Sequence, residues 1–141
     1  MSPGAWRRAA AILVGVPIYH ITSPADADRL LADGVLEPPS LAAEGFVHCS
    51  TDVQVVATTA KWFAPDAELV LLELDPEQLG AELRWPEVYA GQRFPHVHGP
   101  LRAEAVVARL PWNPDDRASW AQLGEKEPKQ VVTADSNRYR T

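Results

Sequence analysis

Glu68-Leu69-Val70-Leu71-Leu72-Glu73-Leu74 is the stretch on which the fold turns. Its centre, Val70-Leu71-Leu72, is a continuous apolar run of strand length, the pattern of a strand buried on both faces. Asp75-Pro76 follows and caps one helical turn through Leu79. Upstream, Pro65 ends a helix that opens at Thr51-Asp52-Val53-Gln54, which has the form of a capping box. Val53, Val56, Ala57, Ala60 and Phe63 recur at helical spacing and predict its apolar face.

Further from this centre the elements shorten. Phe46 to Ser50 reads as a brief strand, and Val35 to Gly45, with Pro38-Pro39, as a loop with a turn at Ser40 to Ala43. Gly34 stops a helix over Ala25 to Asp33, anchored by Leu30 and Leu31 and opened by Ser23-Pro24. Ile18-Tyr19-His20-Ile21-Thr22 is rich in β-formers and predicts the first strand. Downstream, Glu82 to Trp85 is a short strand, Pro86 to Pro100 a long loop, and Ala103 to Leu110 the last strand. About five strands and two main helices, intermixed, predict an α+β fold with a small, mainly antiparallel sheet. No solenoid-type repeat interrupts this order.

With 141 residues, one domain is expected, over 17–112. Residues 1–16 form an N-terminal extension, disordered or preceding the true start, and 113–141 a C-terminal one, with a short helix over Asp115 to Leu123 and then a tail. Arg7-Arg8 and the apolar run Ala9 to Val14 faintly resemble a signal peptide, but the run is short and no small-x-small site follows. The 13 prolines, about 9% of the chain against a usual ~5%, cluster at the junctions between elements. Cys49 is alone, which excludes an intrachain disulfide and fits a reducing, cytoplasmic location. No apolar run is long enough to span a membrane.

The net charge of −6 is unevenly spread: residues 17–112 carry 14 of the 19 acids and only six of the 13 bases. Such a segment cannot build the basic face that nucleic-acid backbones require, so bulk nucleic acid is not an expected partner. A small anion needs only an Arg or two and backbone N–H groups. Arg84 and Arg93 flank the Pro86–Pro100 loop.

All four histidines lie between residues 20 and 98. His20-Ile21-Thr22 and His48-Cys49-Ser50 end two strands, and His96-Val97-His98 sits in the long loop. Strand side chains alternate, so His20 shares a face with Thr22 and His48 with Ser50. Were the two strands neighbours, two His-x-hydroxyl pairs would line one cleft. Imidazole exchanges protons near neutral pH, and a hydroxyl binds ribose or phosphate oxygens without adding charge. A strand-end histidine also serves structurally, its ring bonding a backbone carbonyl. Arg93 is a candidate phosphate ligand, and Glu87 a carboxylate at a strand end for a cationic centre or a proton. Trp62-Phe63 could stack on a base, but reads first as core. Cys49 alternates away from His48, against a Cys–His nucleophilic pair.

Ile18 to Thr22, Ser40-Leu41, Glu44 to Ser50, Gln54, Leu71 to Asp75 and Phe94-Pro95-His96-Val97-His98-Gly99-Pro100-Leu101 occur in an order that resembles the bacterial and plant domain-of-unknown-function family 952, over roughly residues 17–112. His98 departs from the family pattern, which more often has Tyr, and this argues against a proton or metal role there. The resemblance implies a fold similar to the ADP-ribosyltransferase type, a split pair of small antiparallel sheets around an NAD cleft. It implies NAD as substrate and a small-molecule or protein acceptor. His20, like that group's strand-end His, would bond ribose, with Thr22. His48 and Ser50 would orient nicotinamide and its ribose. Arg93 and His96 would meet the pyrophosphate or the acceptor, and Glu87 would stabilise an oxocarbenium-like centre. His98-Gly99-Pro100 loosely resembles the His-Gly-Thr element of the RNA 2′-phosphotransferase branch.

The expected catalytic set is thus His48, Glu87 and His96. The cofactor-binding set is His20, Thr22, Ser50, Arg93 and His98, with no metal. Three other readings stay open: a two-histidine phosphoesterase, a metal site of His96, His98 and His20 or His48, and a non-catalytic nucleotide-binding or interaction module.

Overall fold

The computed structural model describes residues 16–116 and Leu123. β1 (Ile18–Thr22) leads into α1 (Pro24–Asp33), where Ser23 Oγ accepts from the Asp26 N–H. Pro24 stands at the helix start, where its missing N–H is no loss. Gly34 closes α1 in the left-handed region, φ 86°. There follow β2 (Val35–Leu36), α2 (Pro39–Glu44), β3 (Val47–His48), α3 (Val55–Trp62) and β4 (Leu69–Leu74). β5 (Glu82–Arg84), β6 (Glu87–Tyr89), β7 (Gln92–Arg93), β8 (His96–His98), β9 (Leu101–Arg102) and β10 (Val106–Trp112) complete the order.

The chain is α+β, and the paired strands are antiparallel. One three-stranded sheet runs β1-β4-β10 and another β3-β8-β5, with β2-β9 and β6-β7 as two-stranded ribbons. β3 leaves its sheet after His48, and two residues on Ser50 pairs with Tyr19 of β1. Tyr19 N donates to Ser50 O at 2.7 Å, and Ser50 N to Tyr19 O at 2.8 Å. That bridge joins the two larger sheets.

β4 is the buried centre. All six of its residues are buried, as are all five of β1. Ile18, Val70, Leu72 and Leu74 pack with Ala27 and Leu30 of α1 on one face. Tyr19, Ile21, Leu69 and Leu71 pack with Val55 of α3 and Trp112 of β10 on the other. A strand covered on both faces has no need of polar alternation, which is why its sequence is a run.

Several expectations are corrected. Residues 35–45 are not all loop: Pro39 opens α2, and Gly45 ends it in the left-handed region, φ 88°. His96-Val97-His98 is not in a loop but forms β8, the middle strand of its sheet, with Val97 fully buried. Within the same stretch, β6 and β7 make a hairpin turned through Ala90 and Gly91. Among the described residues there are ten short strands and three α-helices, more than the composition of strong signals foretold.

The helix expected from the capping box begins later. Gln54 Oε1 accepts from Thr51 N at 3.0 Å, but Thr51 Oγ1 has no hydrogen-bond partner among the described residues. Gln54 is instead held by Nε2 donating to the Arg93 carbonyl, 2.8 Å, and α3 starts at Val55. Its buried residues are Val55 and Thr59, not Ala57 and Ala60. Thr59 is buried because its hydroxyl bonds both the Val55 carbonyl and Trp112 Nε1. The expected extension over 1–16 lies outside the described residues but for Val16. Of the C-terminal one, 113–116 and Leu123 are described. Leu123 is helical and buried, and its carbonyl accepts from the Tyr19 hydroxyl. Among the described residues no helix is long and apolar enough to cross a membrane.

Candidate functional site

The Tyr19–Ser50 bridge sets His20 of β1 beside His48 of β3. His20 Nδ1 lies 2.9 Å from the His48 carbonyl oxygen. A carbonyl can only accept, so Nδ1 carries the proton and neutral His20 keeps its lone pair on Nε2. His20 is buried, and burial holds its pKa below the ordinary histidine value, against the opposing effects of the His48 carbonyl and Asp26. It therefore meets pH 7 as a neutral acceptor.

His48 and His96 stand directly opposite each other in the β3–β8 pairing, and Arg84 faces His96 from β5. Phe46 stacks on the His96 ring, centroids 3.9 Å apart at 7°, and meets His48 edge-on at 4.9 Å. The His48 and His96 rings are T-shaped at 5.3 Å. His98 lies further along the same face, 5.5 Å from Phe46 and half-buried. Burial, reinforced by His48 and His98 nearby, lowers the His96 pKa, with Glu44 acting the other way. Glu44 Oε1 lies 2.6 Å from His48 Nε2.

A cavity of about 400 Å³ is lined by His20, Ser50, Glu44, His48, His96 and Trp62, with Phe63, Phe94 and Val88 among its apolar walls, while Phe46 and His98 are not among them. The size is that of small-ligand sites, which run from about 300 to 1,000 Å³. A larger, open depression of about 1070 Å³ between α3 and the end of β10 holds no histidine, so the chemistry favours the smaller one.

Of the expected residues, His20, His48, Ser50 and His96 converge on this cavity. Ser50 Oγ donates to Thr58 Oγ1, 3.3 Å. Thr22 is buried at the far end of β1 and does not line it. Glu87 and Arg93 face each other in the exposed β6–β7 hairpin. The Arg93 guanidinium donates to the Trp85 carbonyl, 2.8 Å, and Arg84 is paired with Glu82 by two 2.9 Å bonds. Neither arginine is among the cavity walls. Cys49 is buried and burial pushes its thiol up, so it is no nucleophile at neutral pH. Among the described residues no three His, Cys, Asp or Glu side chains are placed to hold a metal ion.

Three residues outside the expected catalytic and cofactor-binding sets belong here. Glu44 was hidden in the stretch read as loop, although its spacing of four from His48 was visible. Phe46 was taken only as part of a strand. Trp62 was read as core, yet it is 67% exposed at the cavity mouth, with Lys61 Nζ 5.3 Å from its ring; only Phe63 is half-buried.

A family model described as "Protein of unknown function (DUF952)" matches residues 21–109. The chain belongs to that family. It is similar to the crystal structure of protein CC0527 from Caulobacter crescentus, with 40% identity, a TM-score of 0.62, and coverage of 67% of this chain and 84% of that one. The solution NMR structure of CC0527 is similar too, with 39% identity, a TM-score of 0.58, and coverage of 70% and 88%. Among curated proteins nothing matches.

Proposed function

We propose that this member of the family binds NAD, or a nucleotide like it, in the histidine cavity and acts as an ADP-ribosyltransferase-like enzyme, its two bridged antiparallel sheets being a small version of that fold. The observation that carries the reading is the meeting of His20 and His48 across the Tyr19–Ser50 bridge, one from each sheet, on a single cavity. In this reading His20 Nε2 accepts from a ribose hydroxyl, and Ser50 holds a second sugar oxygen. The aromatic walls and the His48 and His96 rings take the flat nicotinamide. Among the described residues Glu44 is the only acidic or basic side chain on the cavity wall besides the histidines, and Lys61 stands at the mouth with Nζ 5.3 Å from the Trp62 ring. That favours the cationic pyridinium end of NAD inside and the pyrophosphate outside. Glu44, not Glu87, is then the carboxylate nearest a developing oxocarbenium centre.

Isothermal titration of the full chain with NAD, paired with an assay for released nicotinamide, tests the reading. Saturable heat and slow nicotinamide release are expected. No binding at millimolar NAD would sink it. The acceptor in this reading is a small molecule or a protein, since the six bases of residues 17–112 offer no face for bulk RNA.

A further inference from the structure

His48 is exposed, yet it has a defined neighbour on several sides. Gly45 turns the chain back at φ 88°, its N–H bonded to the Leu41 carbonyl, and this returns Glu44 over the strand that follows. Glu44 Oε1 then sits 2.6 Å from His48 Nε2. The Phe46 edge and the His96 ring close two further sides at 4.9 and 5.3 Å, and the His48 carbonyl is occupied by His20. An ionised carboxylate only accepts, so the shared proton belongs to His48 Nε2, and in the neutral ring the lone pair is then on Nδ1.

We propose that Glu44 and His48 form an acid–base dyad, in which Glu44 positions the imidazole and His48 Nδ1 takes the proton of an acceptor hydroxyl at the cavity. The tautomer follows from the geometry alone; the step it serves rests on the NAD reading. In that step the acceptor oxygen forms a bond to ribose C1′ while the C1′–N bond breaks. Nicotinamide leaves as a neutral molecule with the bonding electron pair, and the acceptor's proton passes to Nδ1. The resulting imidazolium lies against the Glu44 carboxylate, a charge-assisted hydrogen bond that stabilises it as it forms. Glu44 touches no reacting atom in this scheme and is a positioning residue.

The test is 15N NMR of the imidazoles in the full chain across a pH series, read at the pH where the His48 ring is neutral, with the His48 signals assigned by their loss in His48→Gln. Wild type is expected to show His48 with a protected Nε2–H proton and a pyridine-like Nδ1. Glu44→Ala is expected to lose that proton to solvent exchange, and Glu44→Gln, whose amide oxygen still accepts, to recover it. In the nicotinamide-release assay Glu44→Ala should lower kcat by on the order of 10²-fold and also raise KM for NAD, because the carboxylate that draws the pyridinium goes with it, whereas Glu44→Gln should recover part of kcat. A His48 signal that is the same in wild type and Glu44→Ala overturns the dyad. So does a lost Nε2–H with kcat intact. A protected Nε2–H in a chain that binds no NAD leaves the dyad standing and removes the NAD reading instead.

Discussion

His20 and His48 differ in what their removal would do. His20 is buried and its ring satisfies the His48 carbonyl. Truncating it strands that acceptor, at a cost of about 1–3 kcal/mol. His48 is exposed and its partner Glu44 is exposed too, so His48→Ala should change stability by no more than about 0.5 kcal/mol. On the proposed NAD reading wild type gains a thermal shift with NAD and both variants lose it, because both residues line the cavity. Urea unfolding of each variant, with and without NAD, separates the two effects. A His48→Ala protein that is strongly destabilised would make His48 a structural residue. At this scale the histidines were legible because they are few and fall in repeated His-x-hydroxyl pairs. Glu44 was not, because its role depends on a turn at Gly45 that brings a residue from one element back over the next. Nor was the removal of Glu87 and Arg93 to an exposed hairpin, since pairing between β6 and β7 decides it.

Among the elements, legibility followed length and context. β1, α1 and β4 carry clear apolar patterns and caps, and they stand where the sequence predicts within a residue or so. β8 has three residues, bracketed by Pro95 and Pro100, and no period can be read from three positions. It is a strand because its neighbours make it one: β3 and β5 pair on either side, and the Pro95 carbonyl still accepts from Cys49 N. Proline lacks a donor but keeps its acceptor, so it can flank a ladder. β8 is also sterically pinned at its end. A Cβ on Gly99 would lie 2.8 Å from the Ala81 Cβ, beside the start of β5. Neither atom belongs to a flexible side chain, so Gly99→Ala must push β8 and β5 apart. A loss of about 1–3 kcal/mol is expected, and Ala81→Gly in the same chain should restore part of it. Thermal unfolding of the single and double variants checks this. An unchanged midpoint in Gly99→Ala would show that the two segments do not press on each other.

For the whole molecule, the acidic balance read from composition has a structural counterpart. Arg29, Arg84 and Arg109 of the central segment are each paired with a nearby Asp or Glu, so few cations remain to attract an anion. What composition could not show is that two of the four histidines are buried as neutral groups. In the unfolded chain a histidine titrates near pH 6.5. Burial lowers the folded-state values of His20 and His96 below that. Between the folded and unfolded values the unfolded chain binds more protons, so stability rises with pH there. The contribution is complete above about pH 6.5 and is lost as pH falls through the folded-state values. Most carboxylates titrate lower, near pH 4, so the interval from about 6.5 to 5 belongs chiefly to the histidines. The melting temperature should hold steady from pH 8 to 6.5 and fall below it. His96→Phe preserves a ring against Phe46 and removes one titrating group, so its decline over the same interval should be shallower than that of wild type. Calorimetric scans of both proteins at half-unit steps of pH decide the matter. Parallel curves would mean that His96 takes no part in the acid sensitivity, and a flat wild-type curve down to pH 5 would mean that neither buried ring resists protonation.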